Sequence, residues 1–105
     1  MPEANRLTLD ATLAARDALR HTPAGIPVLE CTLHHESMQR EAGGARRVDC
    51  DVHALAFADV ALALYRVALG TALRCEGFMA RRYRTGASLT LHVTGFEEIV
   101  MTKGN

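Results

Sequence analysis

The chain has 105 residues, of which 49% are hydrophobic, and its twelve basic residues balance its twelve acidic ones. This composition argues against a disordered chain, and the neutral total argues against a protein that binds polyanions through its overall charge. The longest apolar stretch is interrupted by Asp59 and Arg66 and falls short of the roughly 20 residues that cross a bilayer. Since the N-terminus also lacks the pattern of a signal peptide, we expect one cytoplasmic domain over residues 1–105, with residues 1–5 and 101–105 frayed.

The three cysteines, Cys31, Cys50 and Cys75, are odd in number and widely spaced, and Cys31 and Cys50 fall on the apolar face of their predicted strands. This pattern predicts buried free thiols in a reducing compartment rather than disulfides. No CxxC pair occurs, so a zinc site has little support, and we expect neither a metal nor a cofactor.

The first third of the chain predicts two strands and a turn. In RLTLDATL, residues 6–13, leucines alternate with polar or small residues, as in a half-buried strand. TPAGIP, residues 22–27, places two prolines around a glycine and predicts a turn. VLECTLHHE, residues 28–36, alternates again, so the two strands and the turn predict a hairpin.

The middle of the chain predicts a loop and a third strand. SMQREAGGAR, residues 37–46, has no strand periodicity and carries two adjacent glycines, which predicts a mobile loop. RRVDCDVHA, residues 46–54, alternates cleanly. We expect four of its residues to point inward: Val48, Cys50, Val52 and Ala54.

The remaining chain predicts a helix and two strands. Residues 55–69 carry apolar side chains at helical spacing and end before Gly70. Residues 71–80 predict a strand with Gly77 at a bulge or bend. RRYRTGA forms a hairpin tip, SLTLHV predicts the last strand, and FEEIVM, residues 96–101, continues it after Gly95.

Three strands, a helix and two strands are the element order of an OB-fold. We therefore predict an all-β fold with one short helix, a five-stranded OB-fold Greek-key barrel. An α+β meander with an open sheet is the alternative.

Catalysis has little support in the sequence. Asp49 and Asp51 share one strand face, but each neighbours an apolar core position, as solvated strand residues do. His34 and His35 are adjacent on a strand, so they point to opposite faces and do not form one metal site. No nucleophile, zinc-protease or nucleotide-binding motif occurs, and nothing pairs the strand histidines His53 and His92. We predict that the chain is not an enzyme.

The hairpin tip carries the strongest functional signal. Arg81, Arg82 and Arg84 surround Tyr83, and no acidic residue occurs between Glu76 and Glu97. Single-stranded nucleic acid requires cations for its backbone and flat faces for its bases, and this tip offers both. In isolation the tip is equally consistent with a solvated turn. Its place on an OB-fold, where the loop between the last two strands is a binding loop, favours a nucleic-acid contact.

Two weaker basic clusters accompany the tip. Arg46 and Arg47 lie with Arg40 on the loop after the second predicted strand, and Arg20 precedes the TPAGIP turn. Acidic neighbours reduce the net positive charge of both clusters, so neither cluster alone predicts a binding site. Together with the tip they complete the predicted DNA-binding set, which is Arg20, Arg46, Arg47, Arg81, Arg82, Tyr83 and Arg84.

Several segments resemble the PriB family of primosomal replication proteins. The resemblance rests on NRLTLDATL, TPAGIPVLECTLHHES, QREAG, Cys50, GTALRCEGFMA and LHVTGFEEI, which together span nearly the whole chain. General single-stranded-DNA-binding proteins share the beginning and the TPxGxP turn. The HHESMQREAG segment and the absence of a long acidic tail favour the restart family.

The resemblance implies a homodimeric OB-fold that binds single-stranded DNA. It also implies binding to the restart helicase PriA at stalled forks, stimulation of that helicase, and recruitment of a downstream loading factor. Arg20 and the 81–84 tip match basic positions that the family uses for DNA. Two aromatic positions that stack bases in well-known members fall on Gly44 and Asp49 here, and a basic position falls on Glu36.

These departures predict weak, salt-sensitive DNA binding, because each lost stack removes about 1–3 kcal/mol. They also keep a second hypothesis open, a protein–protein adaptor on an OB scaffold with negligible DNA affinity. A small RNA-binding OB module is a third, since stacking and phosphate contacts alone do not distinguish RNA from DNA.

Overall fold

The computed structural model describes residues 1–100 and consists mostly of β-strands. Its elements are β1 (Leu7–Arg16), β2 (Arg20–His21), β3 (Pro27–Glu41), β4 (Gly44–Phe57), α1 (Ala58–Tyr65), β5 (Ala72–Arg81) and β6 (Leu89–Glu98). The last strand ends at Glu98, three residues before the predicted end of FEEIVM. The fraying predicted for residues 101–105 lies outside the described residues.

Five long strands close into a barrel. They neighbour one another in the order β1, β5, β6, β4 and β3, and β1 closes the ring by pairing with β3 as well. All pairs are antiparallel except β4 with β6, which run parallel. The OB-fold prediction is therefore confirmed, and the open-sheet alternative is wrong.

The barrel interior is filled by small and branched side chains from every long strand and from α1. Fully buried residues include Leu13, Leu29, Leu33, Leu64, Leu73 and Leu91. Cys31 and Cys75 lie in the same core as free thiols, and burial raises the pKa of Cys31 to about 12 and that of Cys75 to about 11. Neither thiol ionises near neutral pH, as predicted for packing residues.

The segment predicted as a mobile loop is a two-stranded arm. Beyond His34, β3 pairs with β4 alone, and the pairing continues to Glu41 and Gly44 around a tight turn at Ala42 and Gly43. We call residues 34–51 the arm. The loop prediction was wrong because both faces of this ribbon are largely solvated, so the apolar alternation that marks a half-buried strand is absent.

The arm also changes the environment of Cys50. Its thiol was predicted to point into the core, but the side chain is exposed. The alternation over residues 46–54 is real, yet only its end reaches the barrel, where Ala54 is buried. A residue on the inward phase of a strand is buried only where a second layer covers that part of the strand.

The helix is shorter than its apolar spacing predicts. Residues 55–57 remain in β4, where Phe57 pairs with Val28 of β3, and α1 covers only Ala58–Tyr65. Ala61 and Leu64 bury the inner face of the helix. The helix prediction was therefore right in place and wrong in extent, because strand pairing holds the first three residues extended. No helix of residues 1–100 is long and apolar enough to span a membrane.

The bulge or bend predicted at Gly77 is confirmed as a bulge in the β5–β6 pairing, with Thr94 of β6 as the extra residue opposite it. The β5–β6 register shifts between Glu76 and Gly77. A Cβ at Gly77 would collide with the backbone carbonyl of His92, so the close approach of these strands requires a residue without a side chain.

Candidate nucleic-acid interface

A cleft of about 330 Å³ opens on the outer face of the barrel beside the β5–β6 hairpin tip. Strands β3, β4 and β6 form its floor, and the loop after β5 and the short strand β2 form its sides. Its lining residues are Arg20, Glu30, His53, Leu55, Arg82, Tyr83 and Thr90. The structure therefore brings three of the seven predicted site residues together, Arg20, Arg82 and Tyr83.

Strand β2 places Arg20 at the rim. Its two residues pair with Val28 and Pro27, and this pairing fixes the chain before the TPAGIP turn against the start of β3. The turn itself forms as predicted, with Thr22 N–H donating to the Ile26 carbonyl at 2.9 Å. The Arg20 side chain remains 56% exposed.

The loop after β5 presents Arg82 and Tyr83 together. Arg82 N–H donates to the Ser88 carbonyl at 2.8 Å, which closes the loop, and the Arg82 guanidinium lies 5.1 Å from the centre of the Tyr83 ring. Tyr83 is 57% exposed. The guanidinium of Arg81 donates to the Arg84 carbonyl at 2.7 Å, so Arg81 also holds the loop in shape. The loop therefore offers an ordered cation and ring pair to solvent.

Glu30 is an acidic residue at the centre of this basic cleft. Its Oε1 lies 2.9 Å from Nε2 of His53, and its Oε2 accepts a 2.7 Å hydrogen bond from Arg20. The hydrogen bond with His53, and after it the charge of Arg20, lowers the pKa of Glu30 below its ordinary value. The carboxylate is thus charged at neutral pH and compensates part of the positive charge in the cleft.

His53 joins the floor of the cleft to β6. Its Nδ1 lies 2.7 Å from the Thr90 hydroxyl, which in turn donates to the His53 carbonyl at 3.1 Å. His53 therefore has two partners, Thr90 and Glu30, and neither is the other strand histidine, His92. Glu30, His53 and Thr90 were missed because their partners lie on three different strands, so no local spacing in the sequence connects them.

Arg46 and Arg47 lie on the arm, away from the cleft. On β3, Arg20 pairs with Val28 and Arg47 pairs with Met38. These two β3 residues are ten positions apart, which corresponds to about 33 Å along the strand. Adjacent strand residues point to opposite faces, so Arg46 and Arg47 also face opposite ways. The structure does not bring these two arginines together with the cleft.

Both arm arginines are held by acidic neighbours. The Arg47 guanidinium donates to Glu36 at 2.7 Å and to Asp49 at 3.3 Å, and Arg46 lies 3.5 Å from Glu41. The remaining predicted arginine, Arg84, is exposed on the loop outside the cleft lining. Of the predicted arginines, those without a carboxylate partner among residues 1–100 are Arg81, Arg82 and Arg84, all at the β5–β6 tip.

One face of the arm carries an ion-pair ladder around His34. Its Nδ1 lies 2.7 Å from Asp51, and its Nε2 lies 3.4 Å from both Glu36 and Asp49. The hydrogen bond to Asp51 is the main cause that raises the pKa of His34, and the surrounding carboxylates add to it. His35 points to the opposite face, where its Nδ1 lies 2.6 Å from the Asp10 carbonyl, as the strand alternation predicted.

Comparison with known proteins places this architecture in a family. Residues 5–95 match a family model described as another single-strand binding protein family. The replication restart protein PriB of Bordetella pertussis is 40% identical over 100 residues, which cover 95% of this chain and 94% of the relative. The replication restart protein PriB of Nitrosomonas europaea is 35% identical over 89 residues, 85% of this chain and 82% of the relative.

Solved structures agree. The structure of PriB from Ralstonia solanacearum superimposes with a TM-score of 0.84 at 41% identity and covers 91% of this chain and 98% of that one. The single-stranded DNA binding protein of Thermus aquaticus has a TM-score of 0.72 over 91% of this chain and 50% of that one, and at 20% identity it supports the fold alone. The chain therefore belongs to the PriB family of replication restart proteins, within the wider single-strand binding protein family.

Proposed function

We propose that the chain is a non-catalytic, cytoplasmic protein of replication restart that binds single-stranded DNA in the cleft between Arg20 and the 82–84 loop. The observation that carries the proposal is the convergence of Arg20, Arg82 and Tyr83 from distant parts of the sequence on one outer surface. Two of these side chains are cations and the third is an exposed ring, which are the groups that a single strand requires.

The geometry supports a division of roles among these residues. Arg82 and Arg84 meet the sugar–phosphate backbone, because their side chains lie at the exposed end of the hairpin. Tyr83 stacks on a base, and the guanidinium that already lies over its ring extends the flat surface. Arg20 binds a further phosphate after exchanging part of its contact with Glu30. Arg81 both adds charge and supports the loop.

The binding is expected to be weak and salt-sensitive. The chain is neutral overall, Glu30 compensates part of the cleft, and the acidic residues on the arm oppose a polyanion there. If about four phosphates are neutralised, log Kobs falls with log salt at a slope of about −3. Arg46 and Arg47 contribute little on this proposal, because carboxylates already hold both.

We further propose that the chain acts as a homodimer with the restart helicase PriA and a downstream loading factor. The proposal rests on membership of the family and on an open strand edge. Residues Leu7–Ala11 of β1 pair with β5 on one side, and β3 pairing begins only at Thr12. Within residues 1–100 no strand pairs with the other edge of that half-strand, where His35 bonds only the Asp10 carbonyl, so the edge is available to a second copy.

A direct test measures fluorescence anisotropy of labelled oligo(dT) of about 30 nucleotides at about 20 mM salt. We expect saturable binding by the native chain and a loss of at least tenfold in affinity for a variant with Arg81, Arg82 and Arg84 all replaced by Ala. The same titration with an oligo(rU) strand of equal length shows whether the chain prefers DNA or RNA. Sedimentation of the chain with and without PriA from the same organism tests the dimer and the helicase contact.

A second candidate function is an adaptor without DNA affinity of its own, and the arm is the observation that favours it. Glu36, Asp49 and Asp51 present carboxylates along one exposed face, opposite in charge to what DNA requires. The adaptor hypothesis predicts no binding to oligo(dT) at low salt, together with a helicase complex that survives replacement of the three loop arginines. DNA binding that the arginine variant loses would instead support the main proposal.

A further inference from the structure

Three rings stack on one another across the outer face of three strands. Phe78 of β5 and His92 of β6 have ring centres 4.8 Å apart and ring planes 14° apart. His92 and Phe57 of β4 have ring centres 6.0 Å apart and planes 20° apart. We call these three residues the ring stack.

The ring stack is not part of the hydrophobic core. Leu91 and Val93, the strand neighbours of His92, point into the barrel and are buried. Phe57 and Phe78 point outward instead and keep 41% and 38% of their surface exposed. Two large apolar rings at the surface are not explained by packing, because the barrel interior beneath them is already filled.

The ring stack continues the floor of the cleft. Leu55 lines the cleft and is the register partner of His92, and Phe78 is the partner of His92 on the other side. Thr90, also in the cleft, lies two residues before His92 and therefore on the same face of β6. A strand that leaves the cleft along β6 thus meets the ring stack next.

We propose that the ring stack is a base-stacking site for the single strand whose phosphates occupy the cleft. The inference rests on the proposed function, since it extends the same surface. The outer faces of the Phe57 and Phe78 rings accept nucleobases of any sequence, because every base has a π face, while His92 lies between the two phenyl rings and holds them in place. On this proposal, base stacking takes place on the barrel wall beside the loop that carries Tyr83.

The test compares two strands that differ only in their bases. One is oligo(dT) of about 30 nucleotides, and the other is an abasic strand of equal length, which has the same phosphates and no bases. The test variant carries Phe57→Leu and Phe78→Leu, which remove both phenyl rings and keep apolar volume. The control variant is Tyr65→Leu, which removes an exposed ring on α1, where Arg16 lies 5.3 Å from the ring centre.

We expect the double variant to bind oligo(dT) about tenfold or more weakly than the native chain, because each stacked base contributes about 1–3 kcal/mol. Its binding to the abasic strand should change less than twofold, and the Tyr65→Leu control should match the native chain on both strands. Oligo(dT) affinity of the double variant within twofold of native would overturn the inference while leaving the proposed function intact. No binding of oligo(dT) by the native chain would overturn both.

A second measurement uses the native chain, so it tests the base-stacking site even if the double variant is unstable. Photocrosslinking of the native chain to an oligo(dT) that carries iodouracil, followed by mass spectrometry, reports which rings lie against bases. Adducts at Phe57, Phe78 or His92 support the site, and adducts confined to Tyr83 overturn it. A fall in sedimentation mass of the double variant with unchanged DNA affinity also overturns it, because the rings would then join two copies of the chain.

Discussion

Glu30 and Arg20 form a 2.7 Å ion pair inside the surface that we propose for DNA. His53 holds the second oxygen of the same carboxylate at 2.9 Å. A phosphate that binds Arg20 must therefore compete with a carboxylate of the protein itself. The pair keeps Arg20 oriented toward the cleft and at the same time lowers the affinity that its charge can supply.

Replacement of Glu30 by Gln should strengthen DNA binding. Glutamine keeps the shape and one acceptor oxygen but removes the charge that competes for Arg20. We expect oligo(dT) affinity to rise about three- to tenfold at about 20 mM salt and less at higher salt, because screening weakens the competing interaction. The matched control is Glu36→Gln on the arm, which should leave the affinity unchanged. Equal or weaker binding by Glu30→Gln would exclude Arg20 as a phosphate ligand.

Two arginine substitutions should change DNA affinity to different extents, although each removes one positive charge. Arg82→Ala removes a cation from the cleft and should weaken oligo(dT) binding about five- to tenfold and reduce the magnitude of the salt slope by about 0.7. Arg47→Ala removes a cation that Glu36 and Asp49 already hold, so binding should stay within twofold. Anisotropy titrations over a series of salt concentrations measure both quantities. Equal losses for the two variants would mean that net charge, and not the cleft, controls binding.

Substitutions at Gly77 and Gly95 give a matched test of the close approach between β5 and β6. A Cβ at Gly77 would collide with the His92 carbonyl, whereas a Cβ at Gly95 would meet no atom within 4 Å. Gly77→Ala should lower the free energy of unfolding by about 1–3 kcal/mol. Gly95→Ala should change it far less. Urea denaturation of both variants measures the difference, and similar stabilities would show that the strands separate freely at the bulge.

The His34 ladder should respond to pH. Because Asp51 and the neighbouring carboxylates raise the pKa of His34 above its ordinary value of 6.5, its favourable interactions are fully present below that value. They are lost as the pH rises through the higher, folded-state pKa. An NMR titration should give a midpoint above 6.5 for His34, and Asp51→Asn should lower that midpoint. A midpoint at or below the ordinary value would show that the ladder is not formed in solution.

The fold was predictable because most strands and turns show their residue pattern within a short stretch of sequence. Leucines alternate in β1, the TPAGIP turn has its own signature, and Gly77 marks the bulge. The arm was not predictable in this way, since a ribbon with two solvated faces lacks the apolar alternation on which the prediction depends. The true start of α1 was hidden for a different reason, because Phe57 fits a helical face and is held extended only by Val28 on another strand.

The candidate site was predictable only in part. The 81–84 tip could be recognised in the sequence because its arginines and its tyrosine are adjacent in the chain. Glu30 and His53 lie 23 residues apart and meet only through strand pairing, so no spacing rule joins them. The ring stack is a similar case, because Phe57, Phe78 and His92 come from three strands. Side chains that face outward on neighbouring strands can be grouped only after the barrel register is known.

The central claim is that the cleft binds single-stranded DNA through its phosphates, and the salt dependence of oligo(dT) binding tests it most directly. Anisotropy of a labelled strand of about 30 nucleotides should show clear binding at about 20 mM salt and much weaker binding at about 150 mM, with a log–log slope of about −3. No binding at the lower salt, or measurable binding with a slope near zero, would contradict the account.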